Sequence, residues 1–313
     1  MALPEITKWK KFYSTALTFW IPIKSYRRAF RGILQLGIRK YFHVIKTDRK
    51  TKFANEIAIG AIMKDEGPYL KEWLDFHILV GIKKFFLYDN ESTDNTTEIL
   101  KPYIERGIVE YHYWPGKRMQ HPAYMDIINN HSTDTRWLAL IDLDEFLVPV
   151  HHDTVVDFLH TMPDNFAQLV VTWVMYGTSG HVQKPDGLLI ENYKWHAKKQ
   201  CGIKSIVNPR LLIVYHSLHA NFIAGWTIDN NGHKLGRINQ KYAPPPYNNL
   251  RLNHYYTKSK QEFYQRLARG GGMNGPNSER NKQKALMLEQ LDADPVYDNI
   301  MDKYIEPVKK FKL

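Results

Sequence analysis

The sequence predicts an α/β fold, a mostly parallel sheet with helices on both faces, carrying a basic helical arm before it and helices after it. Three observations predict this. Short apolar runs of strand length alternate with helical spacings from residue 55 onward. Polar, acid-rich clusters close three of those runs, at 64–66, 89–94 and 142–145. A break in composition near residue 55 separates the body from an acid-free basic segment. With 313 residues and 43% hydrophobic content, the chain is long enough for a full-sized core.

The body reads element by element. The run IAIGAIM (57–63) is short, apolar and bounded by charged residues, so it reads as a buried strand. Pro68 then stands where a helix begins, and Leu70, Trp73, Leu74 and His77 follow at i, i+3, i+4 and i+7 before Gly81 closes the element. KFFLY (84–88) is a second strand that runs into the polar turn 89–94 and then a helix through Leu100. Residues 109–113 form a third strand, 123–130 a helix, and WLALI (137–141) a fourth strand. Residues 169–175 supply a further strand, with Trp173 read as core.

The charge is concentrated ahead of this body. Residues 6–47 hold ten lysines and arginines and no acid, against a net charge of +11 for the whole chain. A near-neutral body does not present the basic face of a nucleic-acid binder. Between 24 and 46, Tyr26, Phe30, Ile33, Leu34, Tyr41, Val44 and Ile45 recur at helical spacing with most arginines off that stripe, which reads as one basic amphipathic helix. Such a helix, with Trp9, Phe12, Phe19 and Trp20 ahead of it, suits an anionic bilayer interface or a packed position on the body. The best apolar stretch, 16–23, contains Thr18 and Pro22 and falls short of a spanning helix or a cleaved leader. The single cysteine, Cys201, excludes an intramolecular disulfide and reads as a buried thiol in a reducing compartment.

Ligands of an open α/β sheet bind outside the carboxyl ends of its strands, where the three acidic clusters fall. Asp142 and Asp144 flank Leu143 directly after a buried strand, and paired carboxylates of this kind suit hard divalent cations that also take phosphate oxygens. Glu145 reads as a supporting acid. In 89–94, Ser92 or Thr93 can cap the following helix, while Asp89 and Asn90 stand at the strand end where a carboxylate can meet a ribose. Ser259 and Glu262 have the spacing of a capping box.

Taken together, MKDEGPYLKEWLDFHILVGIKKFFLYDNESTDNT (63–96), WLALIDLDEFLVP (137–149), WVMYGTSGH (173–181), KSIV (204–207) and LNHYYTKSKQEF (252–263) resemble the nucleotide-sugar glycosyltransferases of the GT-A fold. The likeness is to the family-2-like proteins close to glycosyltransferase family 92. It implies that Asp142 and Asp144 hold Mn2+ or Mg2+ on the donor diphosphate. His254 would complete the metal shell, with His216 as the alternative. Lys64, Glu66, Asp89, Asn90, Asp94 and Asp142 would bind the nucleotide sugar, with Lys204 or Lys258 balancing phosphate charge. An inverting transfer also needs a base for the acceptor hydroxyl, for which His181, Asp186 and Glu191 are candidates.

The expected organisation is a basic arm (1–54), a catalytic domain (55–269) whose halves 55–150 and 151–269 serve nucleotide and acceptor, and a C-terminal helical extension (270–313). The expected function is metal-dependent transfer of a hexose, from UDP-hexose, to a glycan or lipid-linked saccharide. The enzyme would be cytoplasmic and peripherally bound to an anionic membrane through 6–47, with no nucleic acid involved. The rival is a non-catalytic transferase-like protein that binds anionic lipid or nucleic acid through the arm. A sugar nucleotidyltransferase would need a glycine-rich, lysine-containing phosphate loop at the first strand, which is missing.

Overall fold

The computed structural model describes residues 3–4, 6–215, 219, 221–236, 245–269 and 279–313, the side chains at 269 and 279–282 apart. His216 and the Gly270-Gly271-Gly272 run lie outside the described residues.

Three helices come first: α1 (Lys8–Ala16), α2 (Lys24–Leu36) and α3 (Ile38–Asp48). Two features differ from the sequence reading. α1 was not foreseen, and the single helix expected over 24–46 is two, broken at Gly37 with φ of 101°. A left-handed residue ends the α2 ladder, and glycine adopts it without Cβ strain. Part of the arm packs on the body. Ala29, Leu36, Tyr41 and Val44 are buried against the body, and Asp48 pairs with Arg210. Trp9, Phe12, Phe19, Trp20 and Phe42 remain exposed on the outer surface.

The body then alternates strand and helix: β1 (Asn55–Met63), α4 (Gly67–Leu79), β2 (Phe85–Asp89), α5 (Thr96–Glu105), β3 (Val109–Tyr113), α6 (Gln120–His131), β4 (Thr135–Leu140) and β5 (Glu145–Pro149). The second half carries α7 (Val155–His160), β6 (Phe166–Met175), α8 (Leu189–Asn192), β7 (Trp195–Ala197), β8 (Ile203–Val207), β9 (Leu212–Val214), β10 (Phe222–Ile223), β11 (Trp226–Ile228) and β12 (Leu250–His254). The chain closes with α9 (Lys260–Arg269), α10 (Glu279–Ala293), β13 (Pro295–Tyr297) and α11 (Asp302–Lys310).

Nine strands form the central sheet in the order β3-β2-β1-β4-β8-β6-β12-β5, with β11 beside β6. Five pairings are parallel and three antiparallel, so the mostly parallel sheet is present, and each antiparallel contact involves a strand of the second half. Alternation along the strands builds a core on each face. Ile57, Ile59, Phe85, Leu87, Trp137 and Ala139 face α4 and α5, whereas Ala58, Phe86, Tyr88, Leu138 and Leu140 face α6 and the arm. Two-sided burial explains why these strands read as continuous apolar runs.

Cys201 departs from expectation. It is exposed, because it lies in the turn between β7 and β8 rather than in a strand.

Candidate active site

β4 and β5 are consecutive in sequence yet lie far apart in the sheet, and the segment between them carries the paired acids. Glu145 N donates to Asp142 O at 3.1 Å, and Asp142 N donates to Glu145 Oε2 at 2.9 Å, so the turn is closed by its own side chain. Leu143 is buried and anchors it, while β5 pairs with β12 in a register that sets His254 opposite Glu145. Lys204, on the neighbouring β8, reaches Asp142 Oδ2 at 2.9 Å and Glu145 Oε2 at 3.2 Å. Asp144 meets other partners. Its Oδ1 lies 3.4 Å from His254 Nε2, and its Oδ2 accepts from Arg266 Nη1 on α9 at 2.7 Å.

Burial sets the electrostatics. It pushes the Glu145 carboxyl up to about 7, against the pull of Lys204. Burial would also raise Asp144, but the charges of His254 and Arg266 outweigh it and hold that carboxyl well below the usual range. The Lys204 ammonium loses hydration, yet Asp142 and Glu145 raise it above its ordinary value.

Three neighbouring buried atoms have no hydrogen-bond partner: Asp144 Oδ1, Glu145 Oε1 and His254 Nδ1. Unsatisfied buried polar atoms are uncommon and costly, and two carboxylate oxygens beside an imidazole make a donor set that Mn2+ or Mg2+ would satisfy. Asp144 and His254 therefore offer open donors to the cation that the resemblance implies, while Asp142 beside them is engaged by Lys204.

The ends of β1 and β2 meet this site from the side. Glu66 Oε2 is 3.3 Å from Lys258 Nζ, which lies over the Tyr69 ring at 4.0 Å, while Lys64 is exposed. Asp89 accepts from Ser92 N and from the Tyr111 hydroxyl, each at 2.9 Å. Asn90 Nδ2 donates to the carbonyls of Trp114 and Gly116 at 2.8 and 2.9 Å. Asp94 accepts from Gly67 N at 2.8 Å and from Thr96 N at 3.1 Å, tying the first turn of α4 to that of α5. Neither Ser92 nor Thr93 caps α5, whose N-cap position is Asn95.

The base candidates separate. The Glu191 carboxylate is paired with Lys309 of α11 at 2.7 Å, and Asp186 is exposed in a turn, its carbonyl accepting from Asn192 Nδ2. His181 instead abuts the start of α9: Lys260 N donates to its carbonyl at 3.1 Å, and its Nε2 lies 3.2 Å from Asn192 O. The expected capping box is present, with Glu262 N donating to Ser259 Oγ at 3.3 Å and Ser259 N donating to Glu262 Oε2 at 3.1 Å.

Arg266 was missed by sequence reasoning. The capping box announces the helix that carries it, one turn beyond Glu262, but no local feature points to its partner. Glu72 was also missed. It lies buried inside α4 and accepts from Leu189 N at 2.8 Å and Ile190 N at 2.9 Å, capping α8, and a buried acid within an apolar helix gives no local cue to so distant a partner.

The family model for glycosyltransferase family 92 matches residues 64–294. A family 92 protein of Ricinus communis is 25% identical over 68% of this chain and 38% of its own length. One of Oryza sativa subsp. japonica is 26% identical over 53% of this chain and 30% of its own length. The matches thus span about a third of those relatives. Among solved structures, S. aureus TarS 1-349 in complex with UDP is 12% identical, with a TM-score of 0.35, over 50% of this chain and 47% of that one. Glucosyl-3-phosphoglycerate synthase from Mycobacterium tuberculosis in complex with Mn2+, UDP and glucosyl-3-phosphoglycerate is 13% identical, with a TM-score of 0.25, over 42% and 47%.

Proposed function

This chain belongs to glycosyltransferase family 92, and from that premise we propose that it transfers a hexose from a UDP-sugar to a saccharide or glycolipid acceptor at an anionic membrane surface. The observation that carries the reading is the acidic turn after β4, where Asp142, Asp144, Glu145 and His254 converge with three unsatisfied ligand atoms. Mn2+ or Mg2+ bound there would neutralise the charge that develops on the departing nucleoside diphosphate. Lys204 and Lys258 add fixed positive charge beside the same acids, and Lys64, Glu66, Asp89, Asn90 and Asp94 are assigned to the nucleotide side of the site.

For an inverting transfer, His181 is the base this reading favours over Asp186 and Glu191. When its Nε2–H donates to Asn192 O, Nδ1 keeps the lone pair that accepts the proton of the acceptor hydroxyl. Glu191 is already held by Lys309.

A thermal-shift panel of nucleotide sugars, with and without Mn2+, tests the donor assignment, followed by a product assay. One UDP-hexose should stabilise the protein only with metal, and Asp142→Asn should remove that response. Full metal-dependent turnover by Asp142→Asn would overturn the reading.

Exposed Trp9, Phe12, Phe19 and Trp20 support the membrane assignment, as does a cavity of about 310 Å³ lined by Lys24, Arg27, Arg28, Arg31, Phe222 and Gly236. No helix among the described residues is long and apolar enough to cross a membrane. Flotation with anionic against neutral vesicles tests this in a Trp9→Ala/Trp20→Ala variant, since deleting 6–47 would strip buried residues from the core. The same cationic cavity favours the rival reading, arm-only binding to anionic lipid or nucleic acid; that rival predicts vesicle or oligonucleotide binding with no response to any donor.

A further inference from the structure

On the far side of β3, away from the acidic turn, three side chains from two elements meet. Glu110 and His112 stand at i and i+2 on β3 and so share a face, paired in register with Phe86 and Tyr88 of β2. His131 comes from the last turn of α6. Glu110 Oε1 lies 3.1 Å from His112 Nε2 and 3.3 Å from His131 Nε2. Among the described residues, this is the group of three metal-ligating side chains whose donor atoms all fall within 4.8 Å of one another.

We propose that Glu110, His112 and His131 form a second divalent-metal site, suited to Zn2+ and distinct from the donor-metal site at Asp142 and Asp144. Bonds of about 2.0–2.1 Å in tetrahedral arrangement set neighbouring donors about 3.3 Å apart, which is the spacing around Glu110 Oε1. One carboxylate with two imidazoles is a zinc donor set, and a fourth position remains for water because Glu110 and His112 are partly exposed.

The surroundings support a built site. His131 is only 8% exposed, and its Nε2 has no hydrogen-bond partner although it faces Glu110. Its Nδ1 lies 3.3 Å from Asp134 Oδ2; an Nδ1–H donated there leaves the Nε2 lone pair free to ligate, as carboxylate-supported histidines do in metal sites. The second oxygen of Glu110 is 3.5 Å from Lys84 Nζ, so the carboxylate is held by one oxygen and free at the other. Both rings are fixed by stacking, His131 on Phe86 at 3.6 Å and His112 on Tyr88 at 4.5 Å. A cation here would clip the edge strand to α6, next to Tyr111, whose hydroxyl holds Asp89.

The competing account is two histidines paired with Glu110 and no metal, and Co2+ titration of the chelator-treated full chain decides between them. The wild type should take up a Co2+ equivalent with the visible absorption of a low-coordinate nitrogen and oxygen site, and Zn2+ should displace it. His112→Gln and Glu110→Gln should each weaken uptake by at least ~100-fold, and Asp134→Asn by about 10–100-fold. Asp142→Asn should leave this signal unchanged. His112 is partly exposed on an edge strand, so His112→Gln folds, and Zn2+ should raise Tm of the wild type but not of this variant. Absence of the Co2+ signal in the wild type, or its loss in Asp142→Asn with retention in His112→Gln, overturns the proposal.

Discussion

Lys204 Nζ sits 2.9 Å from Asp142 Oδ2, joining the middle of the sheet to the acidic turn by an ion pair whose lysine is 2% exposed. Glu145 shares the same ammonium at 3.2 Å. Glu145, fully buried, needs that charge, because burial alone drives it toward its neutral form. Lys204→Met keeps the stem and removes the charge. Chemical denaturation should show a loss of about 3–5 kcal/mol, the range for breaking one side of a buried pair. A loss below about 1 kcal/mol would mean that water already compensates the acids.

Glu72 predicts a pH dependence. Burial raises its carboxyl from the ordinary value of 4.5 to about 7, with the two backbone N–H donors pulling the other way. An acid whose folded pKa is raised binds more protons folded than unfolded, so stability falls as pH rises between those values. Glu72→Gln removes this slope. The stability of the wild type relative to Glu72→Gln should worsen by on the order of 3 kcal/mol from below pH 4.5 to above 7. Parallel curves for the two proteins would place Glu72 at its unfolded pKa.

Where burial and local chemistry set an element, the sequence showed it. β1 through β4 fall within two residues of the expected strands, β1, β2 and β4 because both of their faces are covered, and the Ser259–Glu262 box announced α9. Long-range pairing was not legible. Nothing local to Glu145 or His254 says that β5 crosses the sheet to lie beside β12, and nothing in α9 says that Arg266 will reach Asp144 across 122 positions. The arm was misread at Gly37 because a helical stripe of apolar residues continues through a glycine whose left-handed φ appears only in three dimensions.

Arg266 Nη1 donates to Asp144 Oδ2, and the guanidinium lies over the Tyr256 ring at 4.6 Å. The pair fixes α9 to the acidic turn and helps to keep Asp144 ionised. Arg266→Lys keeps the charge but loses the planar fork and the stacking, so it should not substitute fully. In the Mn2+-dependent thermal-shift assay, Arg266→Ala should weaken donor-dependent stabilisation at least tenfold in apparent Kd, and Arg266→Lys should fall between it and the wild type. Equal donor responses in all three proteins would separate α9 from the site.

Gly32 tests how the arm is held. A Cβ at this position would lie 1.9 Å from the Ile223 carbonyl oxygen and 3.0 Å from Ala224 Cα, both backbone atoms that cannot rotate aside. α2 therefore approaches β10 at glycine distance, with Arg28 Nη2 donating to Asn221 O at 2.6 Å beside it. Gly32→Ala has to push the helix outward. The helix itself gains from alanine by up to about 1 kcal/mol, while overpacking costs roughly 1–3 kcal/mol, so the sign reports which effect dominates. Because the clash is with backbone, the variant should be less stable by about 1–2 kcal/mol and should be cleaved faster by protease between residues 17 and 23, ahead of α2. A Gly32→Ala protein as stable and as protease-resistant as the wild type would show that α2 does not pack on β10 in solution.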